Sequence, residues 1–171
     1  MDIFTEHIVK HKKGTREYLI SAGAVLAAFI LSFALLMFGG VLFNLGIGFL
    51  ILVGFFYAAY IVIKYTNVEY EYILTNNELD VDKIMARSRR KRMITVDFRN
   101  IDICAPIDDP NYKYEYENTS VSQVYDFSGQ GLNKTYFILT DGDSGRIKII
   151  FEPTEKILDG AQKFNPRKVI K

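Results

Sequence analysis

Charge is missing where a soluble chain would carry it. Residues 18–63, 46 in succession, contain no Asp, Glu, Lys or Arg. About 20 apolar residues in a helix cross a hydrocarbon core about 30 Å thick, and one helix of this whole run would be about 69 Å long at 1.5 Å per residue. The gap in charge therefore excludes an ordinary surface helix and predicts a transmembrane hairpin over 18–64, with passes at about 19–38 and 41–63. Backbone groups find no water inside lipid, so each pass is expected to be helical. A cleavable signal has a short apolar region followed by small residues. Here Ser21, Ala22, Gly23 and Ala24 open the run instead, so cleavage is not expected.

Other scarcities narrow the chemistry. One cysteine, Cys104, excludes an internal disulfide, and its alternating surroundings predict a buried strand residue. The only histidines, His7 and His11, precede the first pass, so no Cys–His nucleophile pair is expected. Their i, i+4 spacing suits a metal on one helix face, but no third ligand of matching spacing accompanies them. Asp141 and Asp143 superficially suggest a calcium loop, yet Gly145 and Arg146 stand where further oxygens are needed; turn chemistry accounts for them and for Asp108 and Asp109. No Gly-rich phosphate loop and no nucleophile–base pair is present, so no enzymatic activity, cofactor or metal is expected. From residue 65 onward the net charge is −1, against +2 before it. That balance lacks the basic face of a nucleic-acid binder.

What is present is ordered by side. Lys10, Lys12, Lys13 and Arg16 precede the hairpin, Lys64 and a run of arginines follow it, and the connection between passes is uncharged. Lys and Arg favour the cytoplasmic side, so a multi-pass protein of the cell membrane with both termini cytoplasmic is expected. Residues 1–17 mix Ile3, Phe4, Ile8 and Val9 with bases and read as a cytoplasmic amphipathic leader, able to lie as a short helix on headgroups. Gly23, Ala24, Ala27 and Ala28 are candidates for close helix–helix approach.

Beyond residue 64 the period changes to two. Alternation over 68–75, 78–85, 93–98, 101–106, 121–127, 135–140 and 146–151 predicts seven short antiparallel strands. Asn76 and Asn77 supply one turn, 128–133 another, and 141–145 a hairpin. Residues 112–120 fit either a strand or an exposed loop. A helix is expected at about 154–164, capped by Thr154, ended by Pro166, with Ile157, Leu158, Ala161 and Phe164 on one apolar face. Asn118 and Asn133 begin glycosylation sequons, which a cytoplasmic domain leaves unused. The fold class is thus a two-helix transmembrane hairpin plus a mainly-β (α+β) domain over 65–171, with about seven strands closed by one C-terminal helix.

This order resembles the bacterial, membrane-flanked pleckstrin-homology-like domains. The carrying residues are Tyr72, Ile73, Leu74 and Thr75, then Glu78 and Leu79, the basic turn over 87–92, the stretch 94–98, and Ile101. The similarity spans about 65–164. Such families often place Gly before the basic turn; here Met85 and Ala86 stand there. The resemblance implies a PH-like fold, not a function, since one fold hosts many.

Two sets of residues are candidate sites. Arg87, Arg89, Arg90, Lys91 and Arg92 are placed to contact anionic headgroups or to form a solvated turn that sets topology. Tyr112, Tyr114, Tyr116 and Tyr125 are candidates for a protein-binding surface or for strand packing. Two functions follow: a membrane-anchored adaptor or assembly protein that binds a protein partner, a second copy included, through a sheet edge or the tyrosines; or a sensor of anionic headgroups. The bilayer is a partner in either case. A transport role is disfavoured because the hairpin holds no ionisable residue.

Overall fold

The computed structural model describes residues 3–44, 46–131, 133–142 and 145–171. The chain forms two compact units, Lys13–Val68 and a second assembled from Met1–Lys12 with Glu69–Lys171.

The first unit is helical: α1 (Thr15–Phe38), α2 (Gly40–Asn44) and α3 (Ile47–Tyr65). Both α1 and α3 are long and apolar enough to cross a membrane. At the start of α1 the Gly14 N–H donates to Glu17 Oε2 at 2.9 Å, which satisfies an orphan donor and sets a carboxylate at the positive helix end. The second long helix begins at Ile47 rather than near 41, because Gly46 takes φ +74° and a left-handed residue cannot continue a right-handed helix. Ala28 and Ser32 of α1 and Gly48 and Ala59 of α3 are buried, and the rings of Phe29 and Phe56 meet edge to face at 5.4 Å. Gly23 and Ala27 stay exposed. The helical period brings 28 and 32, a turn apart, to one face and turns 23 and 27 away.

Among the described residues the second unit holds eight strands, not seven. Sheet A runs β1 (Phe4–Lys10), β2 (Val68–Thr75), β3 (Glu78–Met85), β4 (Arg89–Asp97), in that spatial order. The leader is therefore a strand, not a helix on headgroups. It pairs antiparallel with β2 from Phe4↔Thr75 to Lys10↔Glu69. Val9 is buried, while Phe4 and Ile8 on the opposite face are exposed. So short a helix is marginal in water, whereas an edge strand gains backbone partners from a preformed neighbour. The helical hairpin is thus an insertion in the β1–β2 connection.

Sheet B contains β5 (Ile103–Pro106), β6 (Gln123–Asp126), β7 (Tyr136–Gly142) and β8 (Gly145–Phe151) in the order β5-β7-β8-β6. The expectation of all-antiparallel strands fails at β6, which lies parallel to β8. Between β5 and β6 the chain forms α4 (Lys113–Asn118), a third alternative to the strand or loop expected there. Asp143, Ser144 and Leu132, within two of the expected turns, lie outside the described residues. The core joins both sheets: Tyr72, Leu74 and Leu79 from sheet A and Phe137, Ile149 and Phe151 from sheet B are fully buried, each contributing about 1.5–3 kcal/mol. Helix α5 (Glu155–Phe164) adds Ile157, Leu158 and Ala161 to it, the face that its sequence period predicts, with Phe164 half-buried. Beyond it, Val169 bridges to Cys104, covering the outer edge of β5. Burial pushes the Cys104 thiol pKa up, so it stays protonated and inert.

Candidate functional site

Three of the five bases of the run, Arg87, Arg90 and Arg92, are paired with carboxylates. They lie on the β3–β4 turn and the first half of β4, opposite the acids of β2 and β3. Arg87 Nε is 3.5 Å from Glu69 Oε1. Arg90 Nη1 is 3.0 Å from Glu71 Oε2, an ion pair without hydrogen-bond alignment on that oxygen. Arg92 spans two carboxylates, at 2.6 Å from Asp80 and 2.7 Å from Asp82, and these bonds, with Asp82 foremost, raise its pKa. Glu71 and Asp82 are buried, so Arg90 and Arg92 neutralise charges that would be costly alone. The turn itself is strained: Ala86 and Arg87 take φ 53° and 56°. That left-handed geometry is the one a glycine would adopt freely. Antiparallel pairing carries the turn to the end of sheet A where the chain leaves this unit, at Lys10 and Glu69.

The four tyrosines are separated. On a helix, positions four apart share a face and the one between them does not. Tyr112 and Tyr116 accordingly pack on the core of Ala105, Phe137 and Leu139, with the Tyr116 ring 5.3 Å from Phe137 and under Lys148 Nζ at 4.8 Å. Tyr114 points out, 74% exposed. Tyr125, on β6, stacks on Phe127 at 5.8 Å.

Two features escaped the sequence. The first is a cleft of ≈ 460 Å³ between β4, Gln123 and Tyr125 of β6, and Thr140 and Asp141 of β7. Strand β4 ends sheet A and β6 ends sheet B, so the cleft opens between two sheet edges. The first half of β4 is guarded by bases and by a bulge, Val81 pairing with Ile94 and Asp82 with Arg92 so that Met93 is extra. Charge, lysine and bulges are how natural edges resist stray pairing. The stretch from Met93 to Val96 carries no charge and lines the cleft. Asp97, at its end, is held by Arg99, whose Nη2 donates to Oδ2 at 2.8 Å. That bond is the main cause of a carboxyl pKa lowered to about 2.

The second feature is a buried polar knot. Glu152, 2% exposed, accepts at Oε1 from Gly129 N–H at 2.9 Å and Gly131 N–H at 3.1 Å. Tyr72 donates its hydroxyl to Phe127 O at 2.7 Å and accepts from Glu152 N–H at 3.2 Å. Burial is the main cause of a raised Tyr72 pKa. His11 Nδ1 donates to Ser128 O at 3.3 Å, and Asn133 Nδ2 donates to His7 Nε2 at 3.2 Å. His7 on β1 thus holds Asn133, and His11, just beyond the strand, holds Ser128. Burial, partly offset by the Glu152 charge, lowers the His7 pKa. On a strand, residues four apart lie about 13 Å from each other, so the helical metal spacing does not apply to this pair. The only sequence signal of the knot was Glu152 following the apolar strand β8.

No curated protein and no solved structure matches the chain. Its two apolar helices, its eight strands in two sheets and its C-terminal helix accompany a family match over residues 1–171, and the chain belongs to that family, described as "Bacterial PH-like domain (DUF6106)".

Proposed function

We propose that this protein is a membrane-anchored, non-enzymatic adaptor or assembly module that works at the cytoplasmic membrane face through protein–protein contacts. The observation that carries the reading is the contrast along β4. In its basic half Arg90 and Arg92 are matched by carboxylates of β2 and β3, while its uncharged half lines an open cleft. Anchoring by α1 and α3 fits their length and hydropathy. Pairing of β1 with β2 supports a common side for both ends of the insertion, and the Lys/Arg bias favours the cytoplasm. The test is photo-crosslinking of the full chain in native membranes, with probes at Thr95 and at Tyr114. A discrete protein adduct that persists when Arg87, Arg89 and Lys91 are changed to Ser is the expected result; adducts to lipid alone would refute the reading.

A second reading, contact of the basic turn with anionic headgroups, is favoured by one observation: Arg87 lies at the sheet end where the chain runs into its apolar insertion. Amide exchange over 86–91, for the full chain in nanodiscs of neutral and of anionic lipid, tests it. Slower exchange in the anionic discs supports headgroup contact, and identical exchange rejects it.

A further inference from the structure

We infer that the cleft beside β4 receives an extended segment of a partner protein, added as a further strand to sheet A and carrying a Lys or Arg toward Asp141. This rests on the protein-docking reading and names its site. Four observations converge. Met93, Ile94, Thr95 and Val96 form the part of the β4 edge that lacks a charge, and strand edges bind extended peptides through main-chain hydrogen bonds, with side-chain pockets giving selectivity. The bulged residue Met93 divides the guarded half from Ile94 to Val96, which pair in regular register. The cleft floor, Thr140 and Ile147, is buried, so an entering side chain meets a formed surface. Charge then chooses the occupant. Among the described residues no Lys or Arg lines the cleft, whereas Asp97 and Asp141 do. Asp97 is engaged by Arg99; Asp141 is exposed, and its cross-strand neighbour Arg146 is engaged by Asp102. An isologous contact between two copies would set the same carboxylates against each other, so a cationic segment of another protein fits better than a second copy.

The test uses the full chain in lipid nanodiscs and a phage-displayed library of random peptides of about twelve residues, enough to fill a strand. Enriched sequences are expected to alternate apolar and polar residues and to carry Lys or Arg. Asp141→Lys should weaken them about tenfold, since like charge at a contact disfavours binding. Gln123→Lys, on the opposite wall, should act in the same direction. Both side chains are exposed, so melting temperatures should stay unchanged. Amides of 93–96 should gain exchange protection in the complex. No enrichment, enrichment without cations, affinity indifferent to Asp141→Lys, or β4-mediated dimers in place of peptide binding would each overturn the inference. Peptides that protect 112–116 instead would overturn this site and leave the docking reading standing. That reading itself falls on the lipid-only crosslinking outcome.

Discussion

Tyr72 concentrates several roles in one side chain. Its ring lies in the core at 5.7 Å from Phe151, and its hydroxyl serves both the Phe127 carbonyl and the Glu152 amide. Tyr72→Phe keeps the ring and strands both backbone groups, so it should cost about 2 kcal/mol. Thermal melting of the detergent-solubilised chain should show a drop of several degrees, and an unchanged midpoint would contradict the hydrogen-bond assignment. Asp97 gives a test with a sign. Its folded pKa, about 2, lies below the ordinary 3.8. Its stabilising effect is therefore complete above pH 3.8 and is lost as the pH falls through about 2. The melting-point advantage of the wild type over Asp97→Asn should shrink across that window; a constant gap would mean that Arg99 does not hold the carboxylate. At this scale the sequence was only partly legible. The bases over 87–92 announced themselves, but their neutralisation by Glu71 and Asp82 depends on which strand lies beside which.

Among the elements, α5 is tightly fitted at Gly160. A Cβ on Gly160 would come within 2.5 Å of Leu74 Cδ2 and 3.1 Å of Ile3 Cγ2. Leu74 is fully buried and has nowhere to go. Although Ala is the better helix former by about 1 kcal/mol, Gly160→Ala should destabilise by about 1–3 kcal/mol through overpacking; a stabilised variant in a urea melt would show that the helix can shift. Strand β1 makes a second prediction. Removing residues 3–12 takes away the partner of β2 and three side chains that meet the 127–133 loop or its neighbours, His7, Val9 and His11. The remaining β-rich unit should lose cooperative melting, and a fragment beginning at 65 should behave likewise. If either melts as the full chain does, β1 is dispensable. The strands over 68–75 and 78–85 were readable because alternation is local. The tyrosines over 112–116 misled because their period of two also suits a short helix that buries alternate members.

For the whole molecule, the β1–β2 ladder constrains the membrane topology. Strands that exchange backbone hydrogen bonds lie in one compartment, so on the membrane-anchored reading proposed above the insertion between them crosses an even number of times. With Cys104 buried, an impermeant maleimide applied to intact cells should leave both Lys12→Cys and Lys171→Cys unlabelled, and should label both after lysis. Labelling of one alone would break the two-pass account. The two apolar helices, most strand segments and the closing helix were written in hydropathy and period, because these patterns act on each segment separately. Pairing across distance was not so written. Lys10 pairs with Glu69 across the length of the apolar insertion, β6 turns parallel to β8, and β4 is an edge because no later described strand pairs with it. Such contacts join residues far apart in sequence, and no local pattern encodes which edges stay open. The two long apolar helices of this protein could be read from its residues in order; its leader strand, its matched charges and its cleft came from how distant strands chose their neighbours.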